Sequence, residues 1–368
     1  MGYRRVVVKF GTSTLTAGTR NLSSPHMVDL SRQASALVDQ GVQVALVSSG
    51  AIAAGREVMG HPSLPGFIQA KQMLAAVGQP RLMGLYEQYF AIYGKTVAQV
   101  LLTRADIADR RRYLNARETL EGLLDYGVIP IVNENDTVAV EEIRVGDNDN
   151  LSALVANMIE ADLLLLLTDQ PGLFTADPRQ DPQASLIGEV NEAEISPGLW
   201  QAAGGSSTGL GVGGMVTKLQ AADLARRGGT TVVIAHGGEP DVLLRVAQQE
   251  ALGTRLTPLV TALEHRKRFL LAGMRSRRVM VVDEGAAQAL LRGGSLLPVG
   301  VKQVEGNFER GDAVRVNTLS GKEVAVGLVN YSARDLERLC GRQSGEIESV
   351  LGYTFGDEVI HRNNMMLI

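Results

Sequence analysis

The chain has 368 residues, 45% of them hydrophobic and 21% charged, which is enough for about two domains with ordinary cores. Lys and Arg number 36 against 40 Asp and Glu, a net charge of −4 that argues against a protein devoted to a broad basic nucleic-acid surface. One cysteine, Cys340, excludes an intrachain disulfide, and a reducing cytoplasm fits best. The N-terminus, MGYRRVVVKFGTS, lacks the apolar core and small-residue cleavage site of a signal peptide. The longest leucine run, Leu163–Leu167, is a buried strand, far short of the roughly 20 residues that cross a bilayer.

Strand-like and helix-like segments alternate from the start. Arg5–Phe10 is a β-branched run that delivers Lys9 and ends at Gly11. Pro25–Gln40 has helical spacing, with Met27, Leu30, Ala34 and Leu37 on one face. Val42–Val47 is a strand running into Ser48-Ser49-Gly50, and Ala51–Val58 a short helix. Gly66–Tyr93 is a long helical region with a break expected at Gly78 to Pro80. Strand Val97–Leu102, helix Tyr113–Leu124 and strand Val128–Val132 follow, the last delivering Asn133–Asp136 (NEND). Asn150–Ile159 reads as a helix with Asn150 as its N-cap, then come strand Leu163–Leu167, helix Met215–Arg227 and strand Thr231–Ala235. Strands this apolar, alternating with helices, imply a largely parallel sheet covered on both faces. Beyond Thr254 the pattern changes. Leu263–Arg268 is a charged connector, and Arg278–Val282, Val301–Val304, Ala313–Val316 and Glu323–Val329 are short strands with Gly-containing turns. The expected organisation is a domain over 1–258, a linker over 259–274, a small β-rich domain over 275–355 and a tail over 356–368.

The polar clusters share one position. Lys9–Ser13, Ser48–Gly50, Asn133–Asp136 and Thr168-Asp169 each end or follow a strand, where ligands bind in such sheets. The run Asp147–Asn150 reads on its own as a solvated loop with a cap, because Asp and Asn compete for backbone hydrogen bonds. The loop Gly204–Lys218 contains G-x-G-x-x-G at Gly209, Gly211 and Gly214, but no strand precedes it, so it is no dinucleotide fingerprint. Its glycines still allow backbone N–H groups to meet an anion at the start of a helix. Lys218, in the first turn of that helix, is unfavourable there unless an anion is present. Lys9 at the mouth of a buried strand needs a partner or a route to solvent. Two lysines beside an anion loop suit phosphoryl transfer, which asks chiefly for positive charge. Ser48-Ser49-Gly50 is no nucleophile elbow; it reads as a helix N-cap that also offers its hydroxyl and N–H groups to a ligand. The five histidines have no metal-ligand spacing.

Taken together, KFGTS, SSGAIAAGRE, KQMLAAVGQ, LLTRADI, VNENDTVA, VGDNDNLSA, LLTDQPGLFTADPR and GVGGMVTKLQAA closely resemble the glutamate 5-kinases, within the amino acid kinase family. The segments DEGAAQALL, GGSLLPVGV and GNFERGD resemble the PUA domain attached to many bacterial members. The resemblance implies an α/β amino acid kinase-like αβα sandwich with a mainly parallel sheet, followed by a β-rich PUA-like domain. It implies phosphorylation of the γ-carboxylate of L-glutamate by ATP with Mg²⁺, carried mainly by the nucleotide, in the first step of proline biosynthesis. Carried over by position, Lys9 and Lys218 would neutralise the phosphoryl group and Asp149 would hold them. Ser49, Asp136 and Asn148 would bind glutamate, with Asn133 close by. Lys9, Thr168, Asp169 and the loop Val212, Gly213, Gly214, Met215, Val216, Thr217 and Lys218 would meet ATP. Val212 stands where such sequences often carry Thr, which removes one hydroxyl contact. The resemblance also implies inhibition by L-proline, a homo-oligomer, and handover of the acyl phosphate to glutamyl phosphate reductase.

Two alternatives stand beside this reading. Another acid kinase of the same fold would act on aspartate or N-acetylglutamate, although an acetylated substrate has no ammonium to match Asp136. An RNA-binding role would use Arg275–Arg278 and Lys302, but RNA surfaces usually show a denser basic face. A structural or regulatory role for the C-terminal domain is favoured.

Overall fold

In the computed structural model, which describes residues 2–64, 66–139, 147–204, 214–261 and 278–368, the chain divides into two units. The first takes Met1–Ile107 and Ala116–Ala262. Its eight-stranded sheet runs β3-β4-β2-β1-β5-β7-β8-β6. Those strands are β1 (Arg5–Phe10), β2 (Gln43–Ser48), β3 (Val97–Leu102), β4 (Ile129–Glu134), β5 (Leu163–Thr168), β6 (Glu189–Val190), β7 (Thr231–His236) and β8 (Thr254–Leu256). All pairs are parallel except β7 with β8. β1 lies between β2 and β5, with Lys9 in register with Val47 and Leu166. Every residue of β4 and β5 is buried, as a strand covered on both faces requires.

Helices α1 (Thr12–Thr16), α2 (Ser24–Asp39), α3 (Ala51–Val58) and α4 (Ile68–Ala91) follow the first strands. Phe10, Leu30, Leu82 and Phe90 belong to the core cluster they share with the sheet. The break expected at Gly78 to Pro80 does not occur: α4 runs through with Pro80 inside it. Packing overrides propensity here, because α4 lies so close to α3 that a Cβ on Gly78 would sit 1.8 Å from the Ala51 carbonyl oxygen. Next come α5 (Arg104–Ala108), α6 (Arg110–Asp125) and α7 (Asp147–Met158). Asn150 is therefore not an N-cap but lies in the first turn of α7, which starts three residues earlier than the sequence suggested. Asp and Asn fill that first turn, where the helix dipole favours acidic groups. Helices α8 (Pro197–Gly204), α9 (Met215–Arg227) and α10 (Val242–Ala247) complete this unit.

The second unit takes Ala108–Asn115 and Leu263–Ile368. Its five strands are β9 (Val279–Val282), β10 (Val301–Glu305), β11 (Ala313–Thr318), β12 (Glu323–Leu328) and β13 (Met365–Leu367), in the order β10-β9-β11-β12-β13. All pair antiparallel except β9 with β11. Asp283 caps helix Glu284–Leu291 and Ser332 caps helix Ala333–Leu339, each by a side-chain bond to a backbone N–H. Val282, Leu290, Phe308, Val316 and Tyr331 form its core. Residues 356–368, expected as a tail, supply β13, which pairs antiparallel with β12 and buries Met365 and Met366. The charged connector at 263–268 lies outside the described residues.

Candidate active site

Lys9 leaves β1 at its carboxyl end, and Asp149 enters from the first turn of α7. Lys9 Nζ lies 2.5 Å from Asp149 Oδ1, and Lys218 Nζ lies 3.3 Å from Oδ2. Thr217 Oγ donates to the same Oδ2 at 2.7 Å. The carboxylate is fully buried and both lysines nearly so, at 5% and 6% exposed. Two ammonium groups thus face one carboxylate, which leaves a net positive charge out of water. The N-terminal end of α9, opening at Gly214, adds its partial charge. Such a charge arrangement favours an anion. Burial raises the Asp149 pKa, but the charges of Lys9 and Lys218 and the bonds from Lys9 and Thr217 prevail, so it stays below the usual carboxylate range. Burial pulls Lys9 below the usual lysine value; Asp149 opposes this and Lys218 adds to it.

One residue away, Asn148 builds a second constellation. Its Nδ2 lies 3.0 Å from Ser49 Oγ, 3.1 Å from Asn133 Oδ1 and 3.3 Å from the Ser48 carbonyl. Its Oδ1 is buried and, among the described residues, has no hydrogen-bond partner. A buried acceptor without a donor is costly, which marks a place for a ligand group that donates. Ser49 does not cap α3. Gly50 occupies the cap position with φ 102°, a conformation that favours glycine, and no side chain among the described residues caps the helix. The Ser49 hydroxyl turns to Asn148 instead. Below it, Ser48 Oγ and the Tyr86 hydroxyl lie 2.7 Å apart. Tyr86 is a contributor that spacing alone marks as core: its ring is buried, and burial pushes its phenol pKa up while the Ser48 bond opposes.

Asp136 lies half-buried in the turn after β4, and Thr168 Oγ donates to Asp169 Oδ1 at 3.1 Å just past β5. The structure therefore brings Lys9, Lys218, Asp149 and Thr217 together, and separately Ser49, Asn133 and Asn148. Gly214, Met215 and Val216 open α9, while Val212 and Gly213 lie outside the described residues. In the second unit, Arg278 pairs with Asp312 at 2.7 Å and Lys302 with Asp283 at 2.9 Å. Arg275–Arg277 of the basic run fall outside the described residues. Among the described residues no helix is long and apolar enough to cross a membrane.

The model of the amino acid kinase family matches residues 4–236, and that of the PUA domain matches 278–351. The chain belongs to the amino acid kinase family, a class of phosphotransferases, and carries a PUA domain behind the kinase part. It is 54% identical to the glutamate 5-kinase of Shewanella amazonensis over 368 residues, covering all of this chain and 97% of that one. It is 55% identical to the glutamate 5-kinase of Deinococcus radiodurans over 365 residues, 99% of this chain and all of that one. The glutamate 5-kinase of Photobacterium profundum is 55% identical over 364 residues, 99% of this chain and 96% of that one.

Proposed function

We propose that this protein is a glutamate 5-kinase, transferring the γ-phosphoryl group of ATP to the γ-carboxylate of L-glutamate. The observation that carries the reading is the pair of neighbours on α7. Asp149 gathers two buried lysines, and Asn148 beside it has an acceptor that is buried and, among the described residues, unpartnered. A substrate with an ammonium at one end and a carboxylate at the other can span the two. Its α-ammonium would donate to Asn148 Oδ1 and pair with Asp136, a charge-assisted contact. Ser49 and Asn133 would shape the same pocket.

The γ-carboxylate oxygen attacks the γ-phosphorus of ATP in line. The new O–P bond forms as the bond to the β,γ-bridging oxygen breaks, and ADP leaves with that electron pair. A carboxylate is a nucleophile at neutral pH, so no proton has to be removed first. Lys9 and Lys218 neutralise the charge on the transferring group, and Asp149 keeps both ammonium groups aimed. Thr168, Asp169 and the Val212–Lys218 loop would hold the nucleotide. Mg²⁺ would ride on the ATP phosphates and would supply further positive charge there. The Asp149 carboxylate is taken up by Lys9, Lys218 and Thr217, which suits it to hold lysines rather than metal.

The product, L-glutamyl 5-phosphate, is a reactive acyl phosphate, and in this reading it is the first intermediate of proline biosynthesis. Inhibition by L-proline, a homo-oligomer, cytoplasmic location and onward transfer to a reductase belong to the same reading. RNA binding by the PUA domain is less favoured, since Arg278 and Lys302 are engaged with carboxylates. The test is ADP release with hydroxylamine present to trap the acyl phosphate, using L-glutamate, L-aspartate and N-acetyl-L-glutamate, with and without L-proline. We expect hydroxamate from glutamate alone, suppressed by proline. Equal or better turnover of the acetylated acid would overturn the reading.

A further inference from the structure

A chain of side-chain amides runs from the first unit's sheet to Asn148. Gln79 on α4 accepts from Asn133 Nδ2 at 2.8 Å and donates to Gln99 Oε1 on β3 at 3.1 Å. Asn133 Oδ1 in turn accepts from Asn148 Nδ2 at 3.1 Å and from the Glu134 backbone N–H at 2.9 Å. Asn148 Nδ2 also faces the Ser48 carbonyl. A backbone N–H cannot accept and a carbonyl cannot donate, so the direction of every amide in this chain is fixed. The direction ends with the Asn148 nitrogen turned to its acceptors and the Asn148 oxygen left buried and, among the described residues, without a donor. Asn133 is only 2% exposed, so its Nδ2 has no water to fall back on if Gln79 is lost.

We infer that Gln79 is a positioning residue for the amino group of the substrate: its side-chain oxygen anchors Asn133, and through Asn133 keeps the Asn148 acceptor aimed at an ammonium donor. The inference rests on the proposed glutamate reading. The sequence gives Gln79 no chemistry of its own, because it follows Gly78 on a helix and touches no reacting atom. Its geometry also accounts for selectivity. An acylated amine has a single N–H and no charge, so it gives the fixed acceptor a weaker partner.

The test is a polarity series at one position in the full-length protein. Gln79→Leu removes the acceptor, Gln79→Lys replaces it with a donor, and Gln79→Glu keeps an acceptor oxygen. We expect the Leu and Lys variants to raise the glutamate KM about tenfold, the scale of one hydrogen bond. ATP KM and kcat should stay near wild type, and the Glu variant should recover glutamate KM. A role in packing alone would follow side-chain size, moving both KM values or the unfolding midpoint. Equal defects in the Glu and Leu variants, or an unchanged glutamate KM in Leu and Lys, would overturn the inference. If the Leu variant does not fold, the contrast between Lys and Glu carries the same test, as both are long, charged and able to reach solvent. Absence of glutamate-dependent transfer in the wild-type protein would instead refute the functional reading itself.

Discussion

Lys9 is the buried cation whose titration the activity should report. Burial and the neighbouring Lys218 lower its pKa, and Asp149 recovers only part of the loss. The ammonium form that neutralises phosphate therefore disappears at a lower pH than for a solvated lysine. The kcat/KM for ATP, which reports the free enzyme, should fall on the alkaline side before the ordinary lysine range is reached. Between the lowered and ordinary values the folded chain binds fewer protons than the unfolded one, so this group makes stability rise with pH there. Asp149 acts at the other end. Its lowered pKa gives stability that is present above the ordinary carboxylate value and is lost as pH falls through the lowered one. Lys9→Arg separates activity from stability, since arginine keeps its charge throughout. We expect kcat to drop at neutral pH, because the planar fork fits a lysine's place poorly, and the alkaline limb to move upward. An alkaline limb left where it was would assign that titration to another group. Much of this was legible in sequence: both lysines and Asp149 stand at strand ends or helix starts. Their shared burial was not, because it depends on α7 and α9 packing side by side.

The seam between α3 and α4 is held by two glycines, of which Gly78 reads in sequence as a helix breaker and Gly55 does not. A Cβ on Gly55 would lie 2.0 Å from the Leu74 carbonyl oxygen, and one on Gly78 1.8 Å from that of Ala51. Both would strike backbone, which cannot rotate away. A Cβ on Gly84, on the same helix, would meet no atom of the described residues within 4 Å. Gly84→Ala should then gain up to about 1 kcal/mol from helix propensity. Gly78→Ala makes the same gain but must part the helices, at about 1–3 kcal/mol or more. Urea unfolding of the two variants should move in opposite directions, and matching shifts would show that propensity alone governs α4. Because α3 opens at Gly50, next to Ser49, the Gly78 variant should also weaken glutamate binding. Propensity gave the wrong answer at Gly78 to Pro80 for a physical reason: only the facing helix reveals what a glycine is for. The same local view made Asn150 a cap, because a run of Asp and Asn does not say where in it the helix begins.

At the scale of the whole molecule, the packing boundary and the boundary of composition part company. Composition changes near Thr254, yet the second unit also includes Ala108–Asn115 from the middle of the chain. Leu114 is fully buried there against Ala313, Val326, Leu328 and Met366. Arg310 lies 4.0 Å from the Phe355 ring centroid and donates to Asn115. Nothing near position 114 in the sequence announces this, since Arg110–Arg112 and Arg117-Glu118 around it look like an ordinary solvated helix. The partners lie far along the chain, and periodicity sees only near neighbours. Leu114→Ala should cost about 2–5 kcal/mol, the range for deleting a buried leucine. The loss should be local, because units of structure open separately. Hydrogen exchange in the full-length protein should show faster exchange at amides of β11 and β12, with β1 and β5 as protected as before. Protection lost equally from β1 and β5 would mean that Leu114 belongs energetically to the first unit. In the expected case, glutamate-dependent turnover survives at temperatures where β11 and β12 already exchange.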